Sequence, residues 1–257
     1  MVCSYQKIWG RQFDSASGHK LKKYIKKRKK LYQFLINSRE VLRILYNVKT
    51  RSRYLWNLRD GDNKASLNYP IKQESIVFDI GAYRGSLSKK VFKKFQCQLY
   101  LFEPLKEEYE YLKKYFKDKR EVKVFNFGLL DKDEEMYFSN ISGASSIFER
   151  PKGNLSIKVK MKSFESFVKE NSIESIDLMY MNIEGSEYKL LNEIIDTGYI
   201  ENINFLQIQF HSFVNDSKEL RRLIRERLRK THKCIFNYPF LWESWEKKNT
   251  KNKKYIR

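Results

Sequence analysis

Short apolar segments alternate with amphipathic segments from residue 75 onward, and this alternation restricts the fold more than any other feature. The apolar segments are rich in β-branched and aromatic residues, which predicts buried strands at 75–80, 97–104, 121–129, 175–183 and 203–210. Apolar residues at helical spacing predict helices at 86–95, 105–118, 163–171, 186–198 and 217–232. Strands that alternate with helices of this length form a parallel sheet covered on both faces. The chain therefore predicts a doubly wound α/β domain.

The rest of the chain is less regular, and its ends are strongly basic. Residues 133–161 predict a hairpin or edge strands, and residues 233–238 predict the last strand. The net charge is +21, and residues 1–60 contain 16 Lys and Arg against 3 Asp and Glu. Amphipathic spacing predicts one or two helices over 20–48, followed by a polar linker at 60–70. We therefore predict a basic helical extension (1–65), a catalytic domain (70–246) and a basic tail (247–257).

The basic ends favour an acidic partner, either an anionic membrane surface or nucleic acid. A solvated basic face explains the same charge equally well, and no stretch matches a nucleic-acid-binding module. The three cysteines are far apart and predict neither a disulfide framework nor a metal site. The chain has no apolar run of transmembrane length and starts without a signal-peptide pattern. We expect a cytoplasmic protein, with a peripheral position at a membrane as the alternative, and the oligomeric state is left open.

The stretch FDIGAYRGSLS follows the first predicted strand and has the pattern of a ligand-binding turn. Asp79 ends the strand, and Gly81, Ala82 and Gly85 lie in the turn before the next helix. Glycines let the backbone approach a ligand closely, and a helix start offers free N–H groups. The pattern matches neither the NAD fingerprint nor the phosphate loop of nucleotide triphosphatases. An acidic residue here suits a ligand with positive charge, although a purely structural turn explains the glycines almost as well.

Two further turns lie at the same predicted edge of the sheet. Glu103 ends the second strand, where a carboxylate can accept hydrogen bonds from ribose hydroxyls. A carboxylate at a helix start is also favoured by the helix dipole, so this residue has a structural explanation as well. The third turn contains Gly128, Leu129 and Asp131, a small, apolar and acidic combination that suits an adenine ring. Together these turns predict a nucleoside site.

Several blocks of the chain resemble the FkbM family of S-adenosylmethionine-dependent methyltransferases. The blocks are VFDIGAYRGSLS, LYLFEPLKEEYEYL, FNFGLLDKDEEMYF, SGASSI and IDLMYMNIEGSEYKLL, and the resemblance extends from about Ser75 to Lys248. It implies a Rossmann-like class I methyltransferase sheet with S-adenosyl-L-methionine as the cofactor. It also implies that Asp79, Gly81 and Gly85 form the cofactor loop and that Glu103 holds the ribose. The family acts on hydroxyls of sugars and natural products, so the resemblance implies a small-molecule or glycan acceptor.

The block MNIEGSE departs from the usual family pattern at two positions. Met181 replaces the usual lysine and Asn182 the common aspartate, which weakens any scheme with a carboxylate or a metal at 182. Transfer to a hydroxyl needs a general base near the carboxyl ends of the fourth and fifth strands. The candidates for the catalytic machinery are Asn182, Glu184, Glu187 and His211. A structural role competes for each of them: Glu187 begins a helix, and a lone histidine at a strand end is usually structural.

Two other functions stay open at this point. A nucleic-acid methyltransferase fits the basic ends, but the chain has no N-P-P-Y-like motif and no cysteine placed to attack a base. A basic binding module with a non-catalytic cofactor site is the other alternative. The segment FLWESWEKK brings Trp242 and Trp245 close together, and we expect them to seal an edge of the core rather than to bind a sugar.

Overall fold

The computed structural model describes residues 38–39, 41–141, 144–148 and 156–248. Most of the predicted 20–48 helical region and most of the basic tail lie outside the described residues. Within that region, residues 38–39 and 41–46 are helical. The predicted contact of the basic extension with membrane or nucleic acid stays a prediction. None of the helices in the described ranges is long and apolar enough to cross a membrane.

From Val48 onward, six α-helices and eleven strands follow one another in the described chain. The helices are α1 (Val48–Leu58), α2 (Ser86–Phe95), α3 (Lys106–Tyr115), α4 (Phe164–Glu170), α5 (Glu187–Asp196) and α6 (Ser217–Thr231). The first strands are β1 (Ile76–Ile80), β2 (Gln98–Phe102), β3 (Val122–Phe125), β4 (Gly128–Leu130), β5 (Glu134–Ile141) and β6 (Ala144–Phe148). The others are β7 (Ser156–Ser163), β8 (Ile176–Met181), β9 (Ile203–Ile208), β10 (His232–Tyr238) and β11 (Trp242–Lys247).

Seven strands form the central sheet in the order β3-β2-β1-β8-β9-β11-β10. The first five strands in this order are parallel, whereas β11 is antiparallel to both β9 and β10. The order reverses between β1 and β8, and such a switch point opens a crevice at the carboxyl ends of the strands. Ile80 pairs with both Phe102 and Met181 at these ends, so Gly81, Glu103 and Asn182 emerge side by side.

Buried apolar residues cover both faces of the central sheet, as the parallel arrangement requires. One cluster joins alternate residues of β1, β2, β8 and β9 to α4, α5 and α6 and includes Phe78 and Trp245. The other cluster joins the opposite residues to α2 and α3 and includes Val77 and Leu112. The predicted doubly wound sheet is therefore confirmed. Cys97 is fully buried in the second cluster.

Two details of the strand prediction are wrong. The single strand expected at 121–129 is interrupted at Asn126 and Phe127, so β3 stays in the central sheet. Its continuation, β4, joins a separate four-stranded sheet in the order β4-β7-β5-β6. The strand at 233–238 is not the last one, because β11 follows it and inserts between β9 and β10. Trp245 of β11 is completely buried, as expected for a core edge, while Trp242 is only partly buried.

The segment before β1 is attached to the sheet by a buried polar network. Tyr69 donates its hydroxyl hydrogen to Gln207 at 2.9 Å and lies 2.8 Å from the Ser244 hydroxyl. Gln207 in turn donates to the Ser66 hydroxyl at 2.8 Å. These side chains are buried, and each finds a partner within the network, which offsets the cost of removing polar atoms from water. Trp56 of α1 packs nearby against Tyr238 and Leu241.

Candidate active site

The turn after β1 depends on glycine for its shape. Gly81 has φ +84°, and a Cβ added to it would lie 2.2 Å from the backbone oxygen of Asn182. The turns after β1 and β8 therefore touch each other, which no other residue type at position 81 would allow. Gly85 has φ +69°, and its added Cβ would lie 2.7 Å from Leu112 of α3. Gly85 thus serves packing between helices and does not line a cleft.

The amides of this turn are already used within the protein. The N–H groups of Gly81 and Ala82 both donate to the carbonyl oxygen of Phe102, at 3.0 and 3.1 Å. The N–H of Tyr83 donates to the Glu103 carboxylate at 2.7 Å, and that of Gly85 donates to the carbonyl oxygen of Ala82 at 2.8 Å. The turn itself therefore presents a shaped surface and the side chains around it. The free N–H groups were predicted at the helix start, which begins at Ser86, and that part stays a prediction.

Two carboxylates lie buried beneath the turn. Asp79 is 5% exposed and accepts a hydrogen bond from the Ser88 hydroxyl of α2. Burial raises the pKa of Asp79 to about 6, against the smaller opposing effect of Ser88. Glu103 is 4% exposed and also accepts the N–H of Leu105 at 2.9 Å. Burial raises its pKa to about 7, since the two backbone hydrogen bonds only partly compensate.

Two clefts open on either side of the β1 turn. The first has a volume of about 370 Å³ and is lined by residues from β4, β5, β7, α3 and the turns after β1, β2 and β8. The second has a volume of about 250 Å³ and lies between α2, the turn after α1 and β11. Gly81, Tyr83 and Asn182 line both clefts, so the two spaces adjoin. A third cavity of about 400 Å³ lies near the amino ends of β8 and β9 and contains none of the predicted site residues.

The structure distributes the predicted cofactor residues between these clefts. Gly81, Glu103 and Gly128 line the first cleft, and Asp79, Gly81 and Ala82 line the second. Leu129 is buried, whereas Asp131 is exposed on the turn after β4 and lines neither cleft. The roles of all these residues stay predictions.

The first cleft has the composition of a nucleoside site. Its walls are mainly apolar and include Pro104, Leu105, Phe138 and Met161, and Glu103 lies at its edge. The side-chain oxygen of Asn182 is buried there without a hydrogen-bond partner among the described residues. An unsatisfied buried acceptor is costly, so a donor group on a ligand would relieve it. The residues present therefore fit the nucleoside part of S-adenosyl-L-methionine.

The candidate catalytic residues meet at the carboxyl ends of β8 and β9. Glu184 lines the first cleft, and its carboxylate lies 3.6 Å from Nε2 of His211. The opposite ring nitrogen, Nδ1, lies 3.2 Å from the Glu187 carboxylate, which also accepts the backbone N–H of His211 at 2.7 Å. The second oxygen of Glu187 accepts the N–H of Gly185 at 2.8 Å. Glu187 is fully buried and His211 is 5% exposed, so Glu184 is the member of this group that faces the cleft.

Sequence reasoning missed several residues that line the clefts. Tyr83 lies between the two clefts with φ +48°, a conformation that non-glycine residues adopt rarely. Phe138 and Met161 of the second sheet line the first cleft. The second cleft is lined by Asp62, Lys90 and Trp242, among others. The D-x-G-x-x-x-G spacing marks the turn that contains Tyr83. The other residues depend on long-range packing and have no local signal.

Solved structures with a similar fold are distant from this chain. SMU.1697c of Streptococcus mutans, described as a methyltransferase and solved in complex with SAH, is 11% identical with a TM-score of 0.47. That similarity covers 72% of this chain and 94% of the other. The 23S rRNA methyltransferase ErmE is 9% identical with a TM-score of 0.43, covering 74% and 68%. TYW2 of M. jannaschii in complex with AdoMet is 12% identical with a TM-score of 0.37, covering 74% and 75%.

The family assignment depends on the sequence itself. No curated protein matches the chain. The methyltransferase FkbM domain matches residues 79–231, which is more than half of the chain and contains both the β1 turn and the Glu184–His211 group. The central sheet, with its reversal at β1 and β8 and its antiparallel β11, has the doubly wound arrangement predicted for a Rossmann-like class I methyltransferase domain. The chain therefore belongs to the FkbM family of methyltransferases.

Proposed function

We propose that this methyltransferase methylates a hydroxyl oxygen of a sugar, glycoconjugate or natural product. The observation that carries the proposal is the Glu184 carboxylate, which lines the first cleft and is backed by His211. Glu184 has φ +51°, and the following Gly185 has φ +98°. Such a conformation is unfavourable for a non-glycine residue and is found most often at functional sites. It supports a role for this side chain in the chemistry of the cleft.

S-adenosyl-L-methionine, the proposed cofactor, supplies when bound an electrophilic methyl group on a sulfonium. The first cleft would hold its nucleoside part, with Glu103 accepting hydrogen bonds from the ribose and the apolar walls excluding water. Asn182 lies where the two clefts meet and would accept a hydrogen bond from a donor group of the ligand. Positioning and exclusion of water supply most of the rate in a displacement of this kind.

The hydroxyl of the acceptor must lose its proton as the new carbon–oxygen bond forms. Glu184 would accept that proton, because its carboxylate is the one in this group that reaches the cleft. His211 lies behind it and would stabilise the charge on Glu184 or take the proton through Nε2. Glu187 orients the ring by accepting both the backbone N–H and the Nδ1 side of His211. In this scheme Glu187 is a positioning residue, since it does not reach the cleft.

Removing the proton acceptor should slow transfer without weakening cofactor binding. We expect Glu184→Gln and His211→Ala to lower the rate of methyl transfer to a glycoside acceptor by ~10²–10⁴-fold, the usual contribution of a general base. The affinity for S-adenosylhomocysteine, measured by calorimetry, should stay within about twofold of the unmodified protein. Glu174→Gln, a carboxylate at the distant third cavity, serves as the control and should leave both quantities unchanged.

Turnover assays with a panel of acceptors test the acceptor class at the same time. Transfer of a labelled methyl group to glycosides supports the proposal, and unchanged turnover in Glu184→Gln would remove this residue as the base. Transfer to RNA or DNA but not to glycosides would favour the nucleic-acid alternative. Cofactor binding without transfer to any acceptor would favour a non-catalytic binding module.

Cofactor binding should become tighter as the pH rises. In the free protein the pKa of Asp79 is raised to about 6 and that of Glu103 to about 7, so both carboxyls hold protons in mildly acidic solution. A cationic ligand and ribose donors favour the ionised forms, so binding releases protons and affinity increases with pH up to about 7. Calorimetry in buffers of different ionisation enthalpy measures this release. Glu103→Gln should remove the part of the pH dependence near 7, and an affinity independent of pH would contradict the assignment.

A further inference from the structure

The second cleft differs from the first in its charges. The first cleft is lined by the carboxylates of Glu103, Glu108 and Glu184 together with apolar side chains. The second cleft contains Asp62 and Asp79 together with Lys90, so groups of both signs face one small space. Among the described residues that line the two clefts, Lys90 is the one with a cationic side chain.

The ammonium group of Lys90 has a neutral partner. It donates to the side-chain oxygen of Asn63 at 2.8 Å, which orients the group, and among the described residues no carboxylate forms an ion pair with it. Asp62 also lines the cleft, and its carboxylate is held by the indole N–H of the buried Trp56, which it accepts at 2.8 Å. Two opposite charges are thus fixed around one space, and a zwitterion would complement both of them.

The first amides of the β1 turn are not available to an anionic ligand group, because those of Gly81, Ala82 and Tyr83 already donate to Phe102 and Glu103. A ligand carboxylate in the second cleft would instead find its donors at the start of α2, where the first N–H groups have no intrahelical acceptor and a nearby cation adds to them. Lys90 lies one turn into α2, beside Ser86 and Leu87 of the same cleft.

We propose that the amino acid end of S-adenosylmethionine lies in the second cleft, with its carboxylate on Lys90 and its ammonium between Asp62 and Asp79. The inference depends on the proposed cofactor. The nucleoside part then occupies the first cleft, and the sulfonium lies near Gly81, Tyr83 and Asn182, which line both. Part of this subsite comes from outside the matched family residues, since Asp62 and Trp242 lie beyond 79–231. The network of Ser66 and Gln207 holds that outer wall in position.

Two ligands that differ in the amino acid end distinguish binding in the second cleft from binding in the first. S-adenosylhomocysteine contains the amino acid end, whereas 5′-methylthioadenosine has the same nucleoside thioether without it. We expect Lys90→Met to lower the affinity for S-adenosylhomocysteine about 10-fold or more, the effect of losing a hydrogen bond between charged groups. The affinity for methylthioadenosine should change by less than about twofold, because that ligand does not enter the second cleft. Asp62→Asn should show the same selectivity, and Lys90→Arg should restore most of the affinity.

Lys89→Met is the matched control, because Lys89 is the preceding residue of the same helix but lies over Tyr111 and Tyr115 on the surface. Its affinities for both ligands should equal those of the unmodified protein. If Lys90→Met lowers the affinities for both ligands equally, or changes neither affinity, the inference is wrong while the cofactor assignment stays intact. If the unmodified protein binds neither ligand, the proposed cofactor itself is wrong and the inference falls with it.

Discussion

Replacing Gly81 with alanine should abolish cofactor binding. The added methyl group would lie 2.2 Å from the backbone oxygen of Asn182, far inside contact distance, and a backbone atom cannot rotate away as a side chain can. The turns after β1 and β8 would have to separate, which changes both clefts at the residues they share. We expect the affinity for S-adenosylhomocysteine to fall by ~100-fold or more, equivalent to about 3 kcal/mol, as measured by calorimetry.

Gly198→Ala is the control that distinguishes the effect of the steric contact at position 81 from the effect of a left-handed backbone conformation. Gly198 has φ +76°, close to the φ of Gly81, but nothing lies within 4 Å of its added Cβ. Its replacement should cost only about 1 kcal/mol of folding stability, the penalty of a left-handed conformation, and should leave the affinity unchanged. Wild-type affinity in Gly81→Ala would show that the two turns can move apart freely and that the shape of the β1 turn is not essential.

Removing the charge of Glu243 should destabilise the fold more than any other single charge change. Glu243 of β11 is 1% exposed and forms ion pairs with Arg221 and Arg225 of α6. It also accepts the indole N–H of Trp245 at 3.2 Å. Glu243→Gln leaves two largely buried guanidinium groups without a counter-charge. Breaking a buried pair in this way typically costs ~3–5 kcal/mol. Urea unfolding followed by circular dichroism measures this loss.

The same helix offers an exposed pair for comparison. Glu226 forms an ion pair with Arg222, and both side chains are about half exposed. Glu226→Gln should therefore change the free energy of unfolding by only ~0–1 kcal/mol, because water screens the charges and the side chains stay mobile. Similar effects of the two substitutions would mean that the Glu243 group is hydrated in solution and does not hold β11 against α6.

Much of the central sheet could be predicted because its signals are local. Continuous apolar runs identified β1, β2, β8 and β9, and the order of parallel strands brought Asp79, Gly81 and Glu103 to one edge. The strand β11 was missed, since WESWEK contains three charged residues and only two aromatic ones. It forms a strand because Trp245 packs into the core and Glu243 forms ion pairs with two arginines of α6.

The contacts between the turns were beyond sequence reasoning for a similar reason. Nothing near Gly81 indicates that its neighbour in space is the carbonyl of Asn182, or that Phe102 accepts the amides of the turn. The candidate catalytic residues were named together, but their order was not predictable. Only the packing of the turns after β8 and β9 places Glu184 at the cleft, with His211 behind it and Glu187 innermost.

The segment before β1 is attached to the sheet although it lies outside the residues that match the family. The stable domain therefore needs more residues than the family match contains. A chain that begins at residue 79 would keep every residue of the family match but would lose most of β1 together with Ser66 and Tyr69. Gln207 and Ser244 would then remain in the interior with polar atoms that have lost their partners. Each such atom costs ~1–3 kcal/mol, which is comparable to a large fraction of the stability of a domain. A substitution in this segment therefore has to be compatible with β9 and β11, because Tyr69 shares one buried network with Gln207 and Ser244.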